Sequence, residues 1–258
     1  MILYWSRAVG RFVGKPAVLG KGLRFLLTII EHSTLSYPGR WLRQIHFCGV
    51  LSLPIISLSA FFVGMVLALQ MYYALSHYGA VESVGYLVAL SLVRELGPVV
   101  TALLYASRTG SALAASISMM RSREELKALS AIGINIWEKI FFIRFIASFL
   151  VVPVLTILFS VIGVLGCYVV SVSWFNIDPG VFWLNITNSL LFFNDIGNGL
   201  LKSVVFGFVI TWISLFLGYV CPPTVSGMSK ATTQAVVLSS LCVFVLDFVM
   251  TSFMFSVL

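Results

Sequence analysis

The chain has 258 residues, of which 60% are hydrophobic and only 10% charged, and its mean hydropathy is +1.05. That composition excludes an ordinary soluble domain and fits a polytopic membrane protein. The net charge of +7 does not point to nucleic acid, because the lysines and arginines form no single patch and are sorted by loop.

Residues 1–40 are basic, with Arg7, Arg11, Lys15, Lys21 and Arg24 interleaved with apolar residues. No A-x-A site follows, so a signal peptide is not expected. This region reads as an amphipathic interfacial helix, or two helices broken near Pro16, lying on an anionic inner leaflet. Residues 41–258 form the expected membrane domain.

Five stretches there are long and apolar enough to cross or deeply enter a bilayer: Ile45–Tyr73, Val84–Met120, Ile136–Ser173, Lys202–Val220 and Ala231–Leu258. The fold class is therefore all-α, with an N-terminal amphipathic interfacial helix, five membrane helices and a short cytoplasmic helix between the second and third. Tyr72, Tyr73 and Tyr78 cluster at the outer end of the first span, where tyrosines anchor to the interface. Tyr78 is also in reach of a lipid entering or leaving there.

The second span carries the most information. Charge inside an apolar span is costly and marks function, and this span holds Arg94, Glu95 and Arg108. On a helical wheel Arg94, Pro98, Thr101, Tyr105 and Arg108 share one face, expected to line a cavity or meet a partner helix. Ala102, Ala106, Gly110, Ala114 and Ser118 form an i, i+4 ladder on the other, suited to close helix packing. Pro98 cannot donate to the carbonyl of Arg94, so the helix should kink or begin there. A break beside an Arg-Glu pair suits a substrate headgroup, since an arginine forks onto phosphate. The alternative is that Arg94 and Glu95 merely satisfy neighbouring groups. Arg108 reads as a structural partner to a carboxylate.

Between the second and third spans, residues 121–133 read as a cytoplasmic helix of about three turns. Ser122 and Glu125 have capping-box spacing, Leu126, Leu129 and Ile132 make an apolar stripe, and Gly133 is a natural stop. Glu124, Glu125 and Lys127 sit at its surface. Such a helix either fits a groove on a soluble partner or is an ordinary connector.

The loop from about 174 to 201 is the longest external segment. Phe182, Trp183, Ile186, Leu190 and Leu191 recur at helical spacing, so it is expected to hold a short helix at the interface. Lys202 opens the fourth span, near enough to the outer surface to help hold an anionic headgroup. Asp247 lies within the last span as one half of a buried pair, and sequence leaves Arg108 and Lys202 equally open as its partner.

The loops set an orientation. Seven Lys and Arg precede the first span, five lie from Arg121 to Arg144, and Lys230 lies between the fourth and fifth spans, whereas the alternate loops carry Glu82, Asp178 and Asp195. The positive-inside bias puts the N-terminus and residues 121–144 in the cytoplasm and the C-terminus outside.

Several chemistries lack their residues. Gly10 to Pro16 is one residue short of a P-loop and ends in proline, H-E-x-x-H and G-x-S-x-G are missing, and His32, His46 and His77 have no metal spacing. No metal and no cofactor is expected on this chain. The four cysteines show no CxxC and read as small buried hydrophobes. If ATP drives transport, it is hydrolysed elsewhere.

In Arg94-Glu-Leu-Gly-Pro-Val-Val-Thr-Ala-Leu-Leu104, Arg108-Thr-Gly-Ser-Ala112 and Glu124-Glu-Leu-Lys-Ala-Leu-Ser-Ala-Ile-Gly133, the chain resembles the MlaE family of ABC-transporter permeases. Lys202-Ser-Val-Val-Phe-Gly207, Thr211-Trp-Ile-Ser-Leu-Phe216, Gly227 to Val237 and Leu246 to Thr251 continue the likeness in matching order. The resemblance implies an inner-membrane permease of Gram-negative bacteria, working as a homodimer. Its implied partners are an ABC ATPase (MlaF-like) that holds ATP and Mg, a STAS-domain protein (MlaB-like) and a hexamer of an MCE-domain protein (MlaD-like). Such complexes move phospholipid between the inner membrane and a periplasmic carrier and maintain outer-membrane lipid asymmetry. By the same resemblance a lipid pocket draws on Arg94, Glu95, Lys202, Leu67 and Tyr78. ATPase coupling falls to Ser122, Glu124, Glu125, Leu126, Leu129 and Gly133. One departure is that many members carry A-E-x-G after the small-residue stretch, where this chain has Ser116 and Ser118. The competing readings are an autonomous secondary transporter or channel, weakened by the lack of an internal repeat, and a lipid-modifying membrane enzyme, weakened by the missing nucleophile and metal sets.

Overall fold

The computed structural model describes residues 16–31, 38–189 and 195–256, and every regular element among them is helical. Arg7, Arg11, Lys15, His32, Leu190 and Leu191 lie outside the described residues. Five helical stretches are long and apolar enough to span a membrane: Trp41–Ser76, Val81–Ser122, Trp137–Ser173, Gly197–Val220 and Val225–Met254. They match the five expected from hydropathy.

Helix α1 (Pro16–Glu31) lies against the bundle. Phe25 and Ile29 are buried, and Trp212 donates its indole N–H to the carbonyl of Gly22 at 3.2 Å. Leu23 and Leu27, one turn apart, face outward. The helix thus buries one apolar side against the bundle and leaves a second one exposed. Helix α2 (Pro38–Cys48) leads through a tight turn into α3 (Leu53–Ser76), and together they make the first span.

The second span is α4 (Val84–Ser91), α5 (Gly97–Tyr105) and α6 (Ser111–Ser122), joined by π-helical turns at Leu92–Leu96 and Ala106–Gly110. Within the continuous span, α5 begins at Gly97 with Pro98 in its first turn, in keeping with the start expected there. The helix continues, and the widened turn before Pro98 absorbs its missing N–H, with Gly97 bonding back to Leu92. Each π turn inserts a residue and shifts the wheel, so the expected polar face does not persist as a cavity wall. Thr101 and Tyr105 are fully buried, and Tyr105 donates to the carbonyl of Ser148. The small residues Ala102, Ala106, Gly110, Ala114 and Ser118 are all buried, and the helix they belong to packs on α10 (Gly197–Val220). A Cβ on Gly110 would press on Ser214, and one on Gly218 would press on the Ala114 carbonyl.

Helix α7 (Glu125–Ala131) connects the second and third spans. It is two turns long rather than three, and Ser122 is not its cap. Ser122 closes α6, and Glu124 makes the corner in a left-handed conformation at φ 58° with no side-chain cap. The left-handed residue at 124 breaks the chain between α6 and α7 and takes the place of the capping box. Gly133, at φ 81°, ends the helix: its N–H bonds to Ser130 and that of Ile134 to Leu129, a Schellman closure. Leu126 is buried in the bundle, Leu129 is half-buried and Ile132 is 75% exposed.

The third span opens with a π turn at Trp137–Phe142 and continues as α8 (Ile143–Ser173). It packs closely on α3, where Ile56, Ala60, Gly64 and Ala68 form a buried ladder. Any Cβ on Gly64 would collide with the backbone of Gly163, and any on Gly166 with that of Phe61. Helix α9 (Pro179–Ser189) is the short helix expected between the third and fourth spans. Asp178 caps it, accepting from the N–H groups of Gly180 and Val181, and Pro179 fits its first turn. Phe182 is fully buried against Gly85. The last span is α11 (Val225–Ser256).

Candidate functional site

Four charged residues of the spans, Arg94, Glu95, Lys202 and Asp247, converge in the half of the bundle remote from α7. The convergence begins with Gly199, whose Cα lies so near the Val93 carbonyl that a Cβ would collide with it. That contact closes α10 onto the π turn at Leu92–Leu96, three residues before Lys202. The side chain of Lys202 is thereby sealed in, with 1% of it exposed. Its ammonium donates to Oε2 of Glu95 at 2.7 Å, to Oδ1 of Asp247 at 3.1 Å and to Oγ1 of Thr251 at 2.7 Å. An ammonium has three N–H donors, and all three are used. The Thr251 hydroxyl in turn donates to Glu95 at 3.2 Å, closing a ring across three helices.

The two carboxylates are not sealed. Glu95 keeps 35% of its side chain exposed and Asp247 23%. Nearby, Nε of Arg94 lies 3.5 Å from Oδ1 of Asp195, with side-chain exposures of 20% and 8%. Arg94 and Glu95, consecutive on this turn, point in different directions, so the guanidinium meets Asp195 while the carboxylate accepts from Lys202 and Thr251.

Beside this network lies a cleft of about 230 Å³ between α8 and α10, lined by Val93, Ser160, Val164, Trp183, Ile196 and Leu200 among others. Its walls are almost wholly apolar. The hydroxyls of Thr156 and Ser160 at its edge are already bonded to carbonyls of their own helix.

The structure therefore joins Arg94, Glu95, Lys202 and Asp247 into one region and gives Lys202 as the partner of Asp247. It does not join Leu67 or Tyr78 to the network. Leu67 is half-buried on α3, and Tyr78 is 86% exposed in the turn after it. The expected carboxylate partner of Arg108 is corrected. Arg108 donates to the Phe47 carbonyl at 2.9 Å and to Ser52 at 2.8 Å, and its guanidinium lies over the Phe47 ring. It thus ties down the carbonyl end of α2, where a cation offsets the helix dipole.

Sequence reading missed Thr251 and the role of Asp195. Thr251 stands four residues after Asp247, on the same helix face, so its place was readable in principle. At positions 116 and 118, Ser116 accepts from Arg144 at 2.7 Å and Ser118 is buried.

At the opposite end, Lys127 lies 2.7 Å from Glu124 on α7 and holds that carboxyl below its ordinary range by hydrogen bond and charge. Arg123 lies 3.8 Å from Glu125. Among the described residues no group of three or more His, Cys, Asp and Glu is placed to hold a metal ion.

Residues 41–253 match the family model described as Permease MlaE. The chain is 49% identical to the intermembrane phospholipid transport system permease protein MlaE of Haemophilus influenzae, over 98% of this chain and 94% of that one. It is 36% identical to a probable ABC transporter permease protein of Rickettsia typhi over the full length of both. It is 33% identical to the chloroplastic protein TRIGALACTOSYLDIACYLGLYCEROL 1 of Arabidopsis thaliana, over 83% of this chain and 61% of that one.

Proposed function

The chain belongs to the MlaE permease family, and on that premise we propose that it is the membrane permease subunit of an ATP-driven phospholipid transporter in a bacterial inner membrane. It moves lipid between that membrane and periplasmic carriers and so maintains outer-membrane lipid asymmetry. The protein is multi-pass, with five apolar helices. The charge bias of its loops supports a cytoplasmic N-terminus and α7 and a periplasmic C-terminus.

The observation that carries this reading is the sealed Lys202 between two part-exposed carboxylates, in the half of the bundle remote from α7. A network that spends all three ammonium protons internally is rigid, and it leaves Glu95, Asp247 and Arg94 as the groups that meet a headgroup. Arg94 is suited to the lipid phosphate. The apolar cleft beside it, with its hydroxyls already satisfied, suits an acyl chain. Leu67 and Tyr78 bear on the lipid path only if partner chains bring them to it.

The complex we infer is a homodimer with an MlaF-like ABC ATPase, an MlaB-like STAS-domain protein and an MlaD-like MCE hexamer. ATP and Mg bind the ATPase. Helix α7 presents Glu124, Glu125 and Ile132 to it, while Leu129 and Gly133 shape the helix. Leu126 supports the helix from within the bundle.

The test is mild affinity purification of the tagged chain from native membranes, with mass spectrometry of bound proteins and lipids. An ATPase, an MCE protein and phospholipid recovered together support the permease. A lone chain that moves solute in liposomes without nucleotide overturns it in favour of an ion-coupled transporter.

A further inference from the structure

We propose that the cleft between α1 and the α7-side ends of the third and fourth spans binds the phosphate headgroup of an anionic phospholipid from the adjoining leaflet. The cleft has a volume of about 250 Å³. Lys21 and Arg24 stand at its rim, three residues apart on one helix face, and Phe25, Trp137, Phe216 and Tyr219 form its floor and walls. Both cations are exposed, and neither makes an ion pair among the described residues. The hydroxyl of Thr28, also at the rim, bonds to the Arg24 carbonyl.

The helix that carries these cations is held firmly. Phe25 meets Trp137, Phe141, Phe216 and Tyr219 with ring centroids 5.3–5.8 Å apart. Together with the Trp212–Gly22 bond, this fixes the rim against the spans. Leu23 and Leu27 turn outward from α1, so the helix rides at the boundary between headgroups and acyl chains. The rim therefore opens at headgroup depth. Two positive charges over an aromatic floor match a phosphate attached to a glycerol and apolar tails, and the floor is what a free phosphate would leave uncovered.

This site is separate from the Lys202 network. Lys202 and Tyr219 are seventeen residues apart on one continuous α-helix, about 25 Å along its axis. Tyr219 is also shared: the Arg121 guanidinium lies 5.5 Å from its ring centre, and both residues line the cleft beside α7. A lipid seated on α1 thus touches the same ring that borders α7.

The test uses the whole chain in detergent, with phosphatidylglycerol or phosphatidylcholine titrated in and bound lipid counted by native mass spectrometry. The Lys21→Gln/Arg24→Gln variant is expected to lose phosphatidylglycerol affinity about tenfold or more, with phosphatidylcholine unchanged. Arg43→Gln/Lys230→Gln removes the same charge from exposed positions at the same end and should bind as the parent does. Val220→Trp fills the cleft, keeps both cations and should also lose the lipid. Equal loss in the two charge variants, retention in the first, or unchanged binding by Val220→Trp would overturn the site. Complete displacement of the lipid by equimolar inorganic phosphate would overturn the lipid assignment in favour of a free anion. The readout needs no transport, so a negative result is distinct from a failure of the permease reading.

Discussion

The ammonium of Lys202 lies 2.7 Å from Oε2 of Glu95, though 107 positions separate the two residues. Removing the lysine strands carboxylates on two apolar spans, whereas removing that of Glu95 leaves the ammonium with Asp247 and Thr251. Lys202→Ala should therefore cost about 3–5 kcal/mol, and Glu95→Gln clearly less. Lys202→Met combined with Glu95→Gln and Asp247→Asn should recover much of the loss, because the charges vanish together. Thermal unfolding of the detergent-solubilised variants measures this. Equal destabilisation by Lys202→Ala and Glu95→Gln would refute the three-acceptor account.

Arg94 is more accessible than Lys202, and its guanidinium pairs with Asp195. Arg94→Ala should leave the assembled complex intact and lower the phospholipid recovered per chain severalfold. The phospholipid-to-protein ratio after purification is the measurement. A normal ratio would remove Arg94 from the lipid site.

The approach of α3 to α8 depends on absent side chains. Gly64 faces the Gly163 backbone with no room for a Cβ. Gly64→Val should force the helices apart and cost about 2 kcal/mol or more, with Ser76→Ala, at the exposed end of α3, close to neutral. Circular dichroism melts in detergent compare the two. A Gly64→Val variant as stable as its parent would show that the helices meet less closely.

The five spans were legible because twenty-residue apolar runs and loop charge leave few alternatives. The ladder at Ala102 to Ser118 was legible for the same reason as helix periodicity. The equivalent Ala60-Gly64-Ala68 ladder has the same i, i+4 spacing, but no charged residue in its helix sets that face apart from the rest of an apolar run. The π turns were not legible. Each inserts a residue into the turn, and together they take Arg94 out of the register with Arg108 that a regular wheel gives. Nor could spacing show that Glu124 takes a left-handed corner, because Ser122 and Glu125 satisfy a capping box on paper.

Arg144 rests on a neutral partner. Its Nη1 donates to the Ser116 hydroxyl at 2.7 Å and its Nη2 points at the sulfur of Met120. Ser116→Ala should cost about 1–3 kcal/mol by leaving that donor unmatched. Ser116→Asp, which replaces the hydroxyl by a carboxylate, should be tolerated far better. Melting temperatures of the two variants decide this, and equal losses would mean that Arg144 is satisfied elsewhere.

Helix α7 separates charge from conformation in a way mutation can exploit. Glu124 combines an exposed carboxylate with φ 58°, a geometry that asparagine and glycine adopt more readily than other residues. Glu124→Asn removes the charge and keeps the corner, so it should fold normally. Ile132, 75% exposed beside Gly133, is the apolar group α7 has to offer a partner, whereas Leu126 is already buried. Ile132→Asp should reduce co-purification of the ATPase severalfold without changing the melting temperature. Leu126→Ala should lower the melting temperature, losing about 2 kcal/mol or more of packing. Reversing both charges, in Glu124→Lys/Glu125→Lys, should also weaken association. If Ile132→Asp and the double reversal both leave ATPase recovery unchanged, α7 is a connector and the partner docks on another surface.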